Sequence, residues 1–250
     1  MLLDDQKVTC IADLLSSLSN LIEAEKETAW FRGQSDLTWK LLPSIARIGG
    51  GIQAEMALMK RFKQNAGPFL ATRPTCDAEW FMLMQHHRVP TRLLDWTESP
   101  LVALYFAVSD NETEGQDGAL WCLLPRRLNE HARITFSFKG ELPALVDDDV
   151  VNNYLPPSVL NDRLTGVLPV AVIGARDTPR MYAQLGVFTL SHNEPIAIED
   201  VGDGSHIGRL TIPAANKQTI KRELALLKVT RLTLFPELDN VAAQCREVLD

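Results

Sequence analysis

Apolar residues recur three and four positions apart in several stretches of the chain, the spacing that places them on one face of a helix. The first such stretch, 9–26, carries its apolar face on Ile11, Leu14, Leu15, Leu18, Leu21 and Ile22. The same spacing, with helix start and stop signals, predicts further helices over 55–64, 78–88, 101–108, 216–228 and 237–249. Helix 101–108 is almost wholly apolar, so we expect it to be buried.

Shorter runs that are rich in β-branched and aromatic residues predict strands. A strand over 28–32 is predicted to end at Gly33, which would leave Arg32 at the strand end, and a very short strand follows at 93–94. Longer strands are predicted over 118–124, 167–173, 186–190, 207–212 and 229–235. Strands and helices mix without regular βαβ alternation, which favours an α+β fold with a mixed or largely antiparallel sheet flanked by helices.

Length and composition indicate how this fold is organised. A chain of 250 residues with 46% apolar composition can bury a large core, so one domain over 1–250 is the expected organisation. The pattern weakens over 126–165, where we expect a loop-rich or small helical insertion. The formal net charge of -7 argues against broad binding of duplex nucleic acid, because that affinity comes mainly from neutralising phosphates.

Cysteine spacing and the apolar runs bear on the cellular compartment. The four cysteines lie far apart and form neither a paired disulfide framework nor a C-x-x-C metal site. The first residues lack the cationic and apolar regions of a secretory signal, and no apolar run approaches the ~20 residues that span a bilayer. We therefore expect a cytoplasmic protein without a membrane partner.

The first candidate segment for chemistry is Phe31-Arg32-Gly33-Gln34. An arginine at the end of a buried strand, followed by glycine, presents a rigid set of donors beside exposed backbone, which suits a phosphate or a carboxylate. The alternative is an Arg32 side chain that pairs with an acidic neighbour and joins two elements of the fold. These residues alone do not decide between the two.

The second candidate segment runs from Gln85 to Ser99 and concentrates Arg, Asp, His and Thr between two apolar helices. A polar turn that leads into a helix N-terminus can bind an anion through free amides and the helix dipole. Structural roles are expected as well, because Ser99 followed by proline is a helix N-cap, and Arg92 with Asp95 can form a buried ion pair that fixes the turn.

Two further features limit the chemistry. His86 and His87 are adjacent and would point about 100° apart on a helix, so they cannot face one metal ion together, and we predict no metal site. G-x-S-x-G, P-loop and G-x-G-x-x-G motifs are absent.

The third candidate is Gln184. It directly precedes the strand 186–190, so its amide can project toward a cleft or simply satisfy buried backbone groups.

Taken together, these segments resemble the FRG domain family. The matching positions are 31–34, 85–86, 90–97, 99–100, 103–107 and 184–188. One departure is visible: where the family carries an aromatic-glycine pair after Gln-His, this chain has His87-Arg88, which adds bulk and charge beside the expected cleft.

A more distant resemblance links the chain to ADP-ribosyltransferases of the arginine-serine-glutamate type. Phe31-Arg32-Gly33 is similar to their first motif, and Thr97-Glu98-Ser99 followed by 102–107 is similar to their second. That resemblance implies an ADP-ribosyltransferase-like fold and a site that binds NAD. Arg32 would then hold a phosphate of NAD, Gly33 would let the backbone approach the nicotinamide amide, and Thr97 or Ser99 would position the ribose.

The late catalytic glutamate of those transferases is not matched here, because the corresponding position is Gln184. Asp95, Glu98 or Glu194 would have to supply the carboxylate. The predicted catalytic set is therefore Arg32, Gln184, Asp95 and Glu98. The predicted NAD-binding set is Phe31, Arg32, Gly33, Gln34, Gln85, His86, Arg92, Thr97 and Ser99.

The leading hypothesis is an ADP-ribosyltransferase-like domain that uses NAD as a substrate. It would transfer ADP-ribose to an unknown acceptor macromolecule or hydrolyse NAD, with phage defence or a toxin-like role as the setting considered. The alternative is a non-catalytic module that binds or senses a nucleotide or a nucleic-acid end. A third hypothesis assigns the polar turn to folding alone.

Overall fold

The computed structural model describes residues 6–25, 27–134, 141–156, 158–161 and 165–246. Residue 26 and residues 247–249 of the predicted terminal helices lie outside the described residues. The same holds for parts of the weakly patterned stretch, namely 135–140, 157 and 162–164. Within the described residues, no helix combines the length and apolar character that crossing a membrane requires.

Six strands form one antiparallel sheet, which confirms the predicted α+β class and largely antiparallel pairing. The strands are β1 (Trp30–Gln34), β2 (Leu93–Thr97), β3 (Gly118–Leu123), β4 (Val170–Val172), β5 (Gly186–Leu190) and β6 (Ile207–Ile212). Their order across the sheet is β4-β5-β2-β1-β3-β6. The two strands that carry most of the predicted site, β1 and β2, are thus central neighbours.

Ten helices are present in the described part of the chain. They are α1 (Ile11–Glu25), α2 (Gly51–Ala66), α3 (Asp77–His86), α4 (Pro100–Val108), α5 (Pro125–His131), α6 (Ser158–Asn161), α7 (Pro179–Ala183), α8 (Lys217–Leu226), α9 (Arg231–Leu234) and α10 (Leu238–Arg246). The described part of 126–165 contains the end of α5, a 3-10 turn at Asp149–Tyr154 and α6. Helix α4 is largely buried, as its composition predicts.

Two groups of helices lie side by side on one face of the sheet. Helices α1, α4 and α8 pack on β1, β3 and β6 through a core that includes Phe31. Helices α2 and α3 pack on β2, β4 and β5 through a second core that includes Leu93. The opposite face is covered by a third cluster, to which Trp30 and Trp96 belong.

The sheet is nearly open between β1 and β2. Their register contains the single pair Phe31 with Thr97, whereas β1–β3 and β2–β5 each contain five pairs. Beyond that pair the two strands separate toward Gln34 and Leu93. We call this gap the seam, and it lies beneath the boundary between the two groups of helices.

Strand β2 extends to Thr97 rather than ending at Leu94, and three further sequence-based predictions about elements were wrong. The predicted strand 229–235 is absent, and Arg231–Leu234 within it form the helix α9, because Thr230 and Thr233 make a reciprocal capping box that starts a helical turn. Strand β1 does not end before Gly33, so Arg32 lies inside the strand. Leu15 lies on the solvent side of α1, with 53% of its surface exposed, rather than on the apolar face.

Candidate functional site

A cavity of about 530 Å³ opens at the seam. This volume falls within the range of roughly 300–1,000 Å³ that is typical of small-molecule sites. The predicted site residues that line it are Phe31, Arg32, Gly33, Gln34, Gln85, His86, Asp95, Thr97 and Gln184. Segments that are far apart in the sequence therefore meet at one hollow.

Arg32 spans the seam from β1 to β2. Its Nη1 donates to the backbone carbonyl oxygen of Asp95 at 2.6 Å, while its Nε is buried and has no hydrogen-bond partner among the described residues. Burial lowers the pKa of the guanidinium; the Asp95 carboxylate opposes this effect and Arg47 adds to it. Because an arginine keeps its proton at neutral pH in proteins, Arg32 places a fixed positive charge at the cavity wall.

Asp95 is the exposed residue of β2 and lies between the buried Leu94 and Trp96. Its Oδ2 accepts a hydrogen bond from Nε2 of Gln85 at 2.8 Å, and Oε1 of Gln85 accepts one from Oγ1 of Thr91 at 2.6 Å. Thr91 is fully buried, so this relay is anchored in the core. The relay orients the Asp95 carboxylate at the cavity.

Gln184 follows the short helix α7 and is tied to two other parts of the fold. Its Nε2 donates to the carbonyl oxygen of Leu234 at 3.0 Å, and its own backbone carbonyl accepts from Oγ1 of Thr97 at 2.6 Å. Oγ1 of Thr97 in turn accepts from the amide of Ser99 at 3.0 Å. The carboxamide of Gln184 is thus neutral and partly used by the protein, with Oε1 left as an acceptor.

Gly33 and Gln34 line the cavity, but the fold already accounts for both. A Cβ on Gly33 would stand 1.8 Å from the carbonyl oxygen of Ala103, because α4 packs directly on the backbone of β1. Oε1 of Gln34 accepts from Nε1 of the buried Trp121 at 2.7 Å. The glycine is therefore explained by close packing, without any approach of a ligand to its backbone.

Arg92 does not line the cavity, contrary to its predicted place in the NAD-binding set. It is fully buried, and its Nε donates to both carboxylate oxygens of the fully buried Glu55 at 3.0 Å. Its Nη1 and Nη2 donate to the backbone carbonyls of Ser191 and Tyr154. The expected buried ion pair exists, but its partner is Glu55 rather than Asp95.

Glu98 and Ser99 also lie outside the cavity lining. Glu98 accepts a hydrogen bond from Nη2 of Arg176 at 2.5 Å in a partly exposed ion pair. Ser99 is the predicted N-cap of α4, and its side chain accepts from the amide of Val102. Glu194 is exposed and does not line the cavity either. Among the carboxylates considered from the sequence, Asp95 is the one at the cavity.

Sequence reasoning missed most of the positive charge at the cavity. The cationic lining side chains are Arg32, Lys40, Arg47, Arg88 and Arg180, and the lining carboxylates are Asp95 and Asp110. Lys40 is offset by an exposed ion pair with Asp200, and Arg180 by Glu237 at 3.9 Å. Arg32 and Arg88 belong to the segments identified from the sequence, whereas Lys40, Arg47 and Arg180 come from separate loops and short elements that no such motif connects.

His86 contributes a half-buried ring to the wall. Burial lowers the pKa of its imidazole from 6.5, and the neighbouring His87 and Arg180 lower it further. At neutral pH the ring is therefore uncharged and can offer one donor and one acceptor. Its neutrality leaves the arginines as the source of positive charge on this side of the cavity.

Comparison with known proteins supports the family resemblance. Residues 27–116 match the family model of the FRG domain. This stretch contains β1, β2, α3 and α4, and with the loops between them it supplies most of the cavity lining. No curated protein and no solved structure matches the chain.

Proposed function

We propose that this FRG-type chain binds NAD in the seam cavity as an ADP-ribosyltransferase-like protein, cleaving the nicotinamide–ribose bond and passing ADP-ribose to an acceptor or to water. The observation that carries the proposal is the charge of the cavity. Five cationic side chains line it, and although Asp200 and Glu237 offset two of them, Arg32, Arg47 and Arg88 remain against two lining carboxylates in a chain with a formal net charge of -7. Such a local excess favours a ligand with phosphate groups.

Arg32 is the best-placed phosphate ligand in this arrangement. It lies inside the seam, keeps its charge, and directs Nη1 to the Asp95 carbonyl, while no hydrogen bond joins its Nη2 to another described residue. Arg47 and Arg88 form no hydrogen bond or ion pair with side chains of the described part of the chain. A diphosphate would therefore meet donors that the protein itself leaves unused.

Asp95 is the candidate for stabilising the reacting ribose. When nicotinamide leaves with the electron pair of the glycosidic bond, positive charge develops on the ribose, and a nearby carboxylate lowers the energy of that state. The new bond forms between the ribose carbon and an acceptor oxygen or nitrogen, whose proton passes to a base such as this carboxylate. Gln85 holds Asp95 in place for this role.

Binding without turnover is the second candidate function, and one observation favours it. The cavity lining contains no glutamate among the described residues, and the position that resembles the catalytic glutamate is the neutral Gln184. Its amide nitrogen is committed to the Leu234 carbonyl, so this residue supplies no charge to an oxocarbenium-like state. Under this alternative the same cavity would bind a nucleotide and leave it intact.

Incubation of the purified protein with NAD that is radiolabelled in the adenylate half tests the proposal. Released nicotinamide and labelled macromolecules would be measured with and without cell lysate, and NAD binding would be measured by calorimetry. Transfer or hydrolysis supports the enzyme, binding without nicotinamide release supports the second candidate, and no binding removes both.

Three variants make this experiment specific. Asp95→Asn keeps the shape of the side chain and should abolish nicotinamide release while NAD still binds. Arg32→Gln should weaken NAD binding about tenfold or more, as expected for the loss of a charge-assisted hydrogen bond. Arg73→Ala removes an exposed arginine away from the cavity and serves as the charge-matched control. Unfolding curves for each variant separate lost function from lost structure.

A further inference from the structure

Arg88 occupies a backbone conformation that L side chains rarely adopt. Its φ is +61°, and it follows the C-terminus of α3. The amide of Val89 donates to the carbonyl of Met84, and the amide of Arg88 donates to that of Gln85. This is the Schellman arrangement that ends many helices, and the position held by Arg88 is usually a glycine because a Cβ is strained there.

No contact of the Arg88 side chain within the described residues offsets the strain of its backbone. It is exposed, and no hydrogen bond or ion pair joins its guanidinium to any other described residue. Arg180 lies close enough for the charge of Arg88 to lower the pKa of the Arg180 guanidinium. Glu237 and Asp95 offset part of this repulsion at Arg180, but Arg88 keeps a strained backbone and an unpaired charge, and an anion placed between the two arginines would offset the remaining repulsion.

A second cavity begins where the first ends. Its volume is about 320 Å³, and it shares Arg88, Phe106 and Ser109 with the seam cavity. Aromatic rings of Tyr105 and Phe235 form part of its wall, and Arg231 with the carboxylates of Glu237 and Asp239 lines the rest. Arg180 stacks on Phe235, with its guanidinium carbon 4.8 Å from the ring centre, so the two arginines flank the boundary between the cavities.

We propose that Arg88 and Arg180 form a phosphate-binding subsite at this boundary, for a nucleotide that extends from the seam cavity into the second cavity. The inference rests on the proposed nucleotide binding. It states where one phosphate of the nucleotide would lie and names Arg88 as the residue that binds it. Aromatic walls suit a base or another flat apolar group on the far side of that phosphate. Arg88 is thereby a ligand-binding residue that selects for an anionic group.

The two glycine substitutions Arg88→Gly and Lys228→Gly provide a matched test. Lys228 has φ +62°, and the same pair of hydrogen bonds surrounds it at the end of α8, but it lines neither cavity. Each substitution removes one positive charge and one strained Cβ. Both variants should therefore melt at or above the temperature of the unsubstituted protein, and they should differ only in ligand binding.

Binding would be measured by calorimetry with ADP, pyrophosphate, adenosine and NAD. We expect Arg88→Gly to weaken ADP and pyrophosphate about tenfold, equivalent to about 1.4 kcal/mol, to leave adenosine unchanged, and Lys228→Gly to bind as the unsubstituted protein does. Arg88→Lys should recover part of the loss, because it restores the charge but not the planar fork of donors.

The outcomes separate this inference from the proposed function. ADP binding that is equal in Arg88→Gly and the unsubstituted protein overturns the subsite, even if NAD is cleaved normally. Binding of ADP or pyrophosphate that depends on Arg88, in a protein that neither binds nor cleaves NAD, supports the subsite and removes the proposed function. Absence of binding of all four probes at millimolar concentration removes both.

Discussion

Replacing Glu55 with alanine should remove a large part of the stability of the fold. Glu55 and Arg92 are both fully buried, and each Glu55 carboxylate oxygen accepts from Arg92 Nε at 3.0 Å. The substitution would leave a buried guanidinium without its counter-ion, which costs about 3–5 kcal/mol. Domains of this kind are stable by only about 5–15 kcal/mol, so the effect would be easy to measure.

Arg92 also donates hydrogen bonds to two backbone carbonyls, which allows a further prediction about a double variant. Removing both ions in a Glu55→Leu/Arg92→Met variant relieves the unpaired charge, but it leaves the carbonyls of Ser191 and Tyr154 without donors, at about 1–3 kcal/mol each. The double variant should therefore remain destabilised, yet by less than the sum of the two single variants.

Urea unfolding followed by circular dichroism would measure these free energies, with the exposed pair Lys40–Asp200 as the control. That pair should contribute no more than about 1 kcal/mol, because both side chains are more than half exposed. A Glu55→Ala variant within about 0.5 kcal/mol of the unsubstituted protein would refute the assignment of Arg92 to the core, since such small changes are typical of surface sites.

Further measurements test other parts of the structure. Gly33→Ala should destabilise the fold by about 3 kcal/mol or more in urea unfolding, because its Cβ would meet a carbonyl of α4 at 1.8 Å, whereas Gly49→Ala has open space and should be neutral. The NMR titration of His86 should give a pKa below 6.5. Since the folded protein then binds this proton less readily than the unfolded chain, stability should fall as the pH drops through 6.5, and His86→Gln should reduce that loss. Burial raises the pKa of the Cys122 thiol to about 12, so it should not react with a disulfide reagent at pH 8 until the protein is denatured.

The sequence predicted the elements with regular patterns well, and the structure explains the misses. The N-cap at Ser99 and the apolar helix that follows are local features, so they were predicted correctly. Strand β2 was predicted too short, because the polar Asp95 interrupts an apolar pattern and faces a cavity that only tertiary structure creates. The β-branched residues around Thr230 favour a strand, but the capping box at Thr230 stabilises a helical turn, and the segment is helical.

The same distinction applies to the candidate site. Arg92 was placed in the binding set with a buried ion pair to Asp95 as the alternative, but its partner Glu55 lies 37 positions away on α2, so the true partner could not be identified from the polar turn. Conversely, Arg47 lies outside every segment considered, and no role was predicted for Arg180 beside Gln184; both reach the cavity through packing. Local sequence patterns identify which segments are polar, whereas the pairing of strands in the sheet determines which polar side chains line the same cavity.

The geometry of the seam bears on the hypothesis that the polar turn serves folding alone. Two central strands that are joined by one pair forgo most of the backbone hydrogen bonds that a complete ladder would supply. Arg32 spans the gap with a single side-chain bond to Asp95, and α4 is held directly on Gly33 beside it. Under the proposed function, a phosphate-bearing ligand would bind across this gap and offset its positive charge.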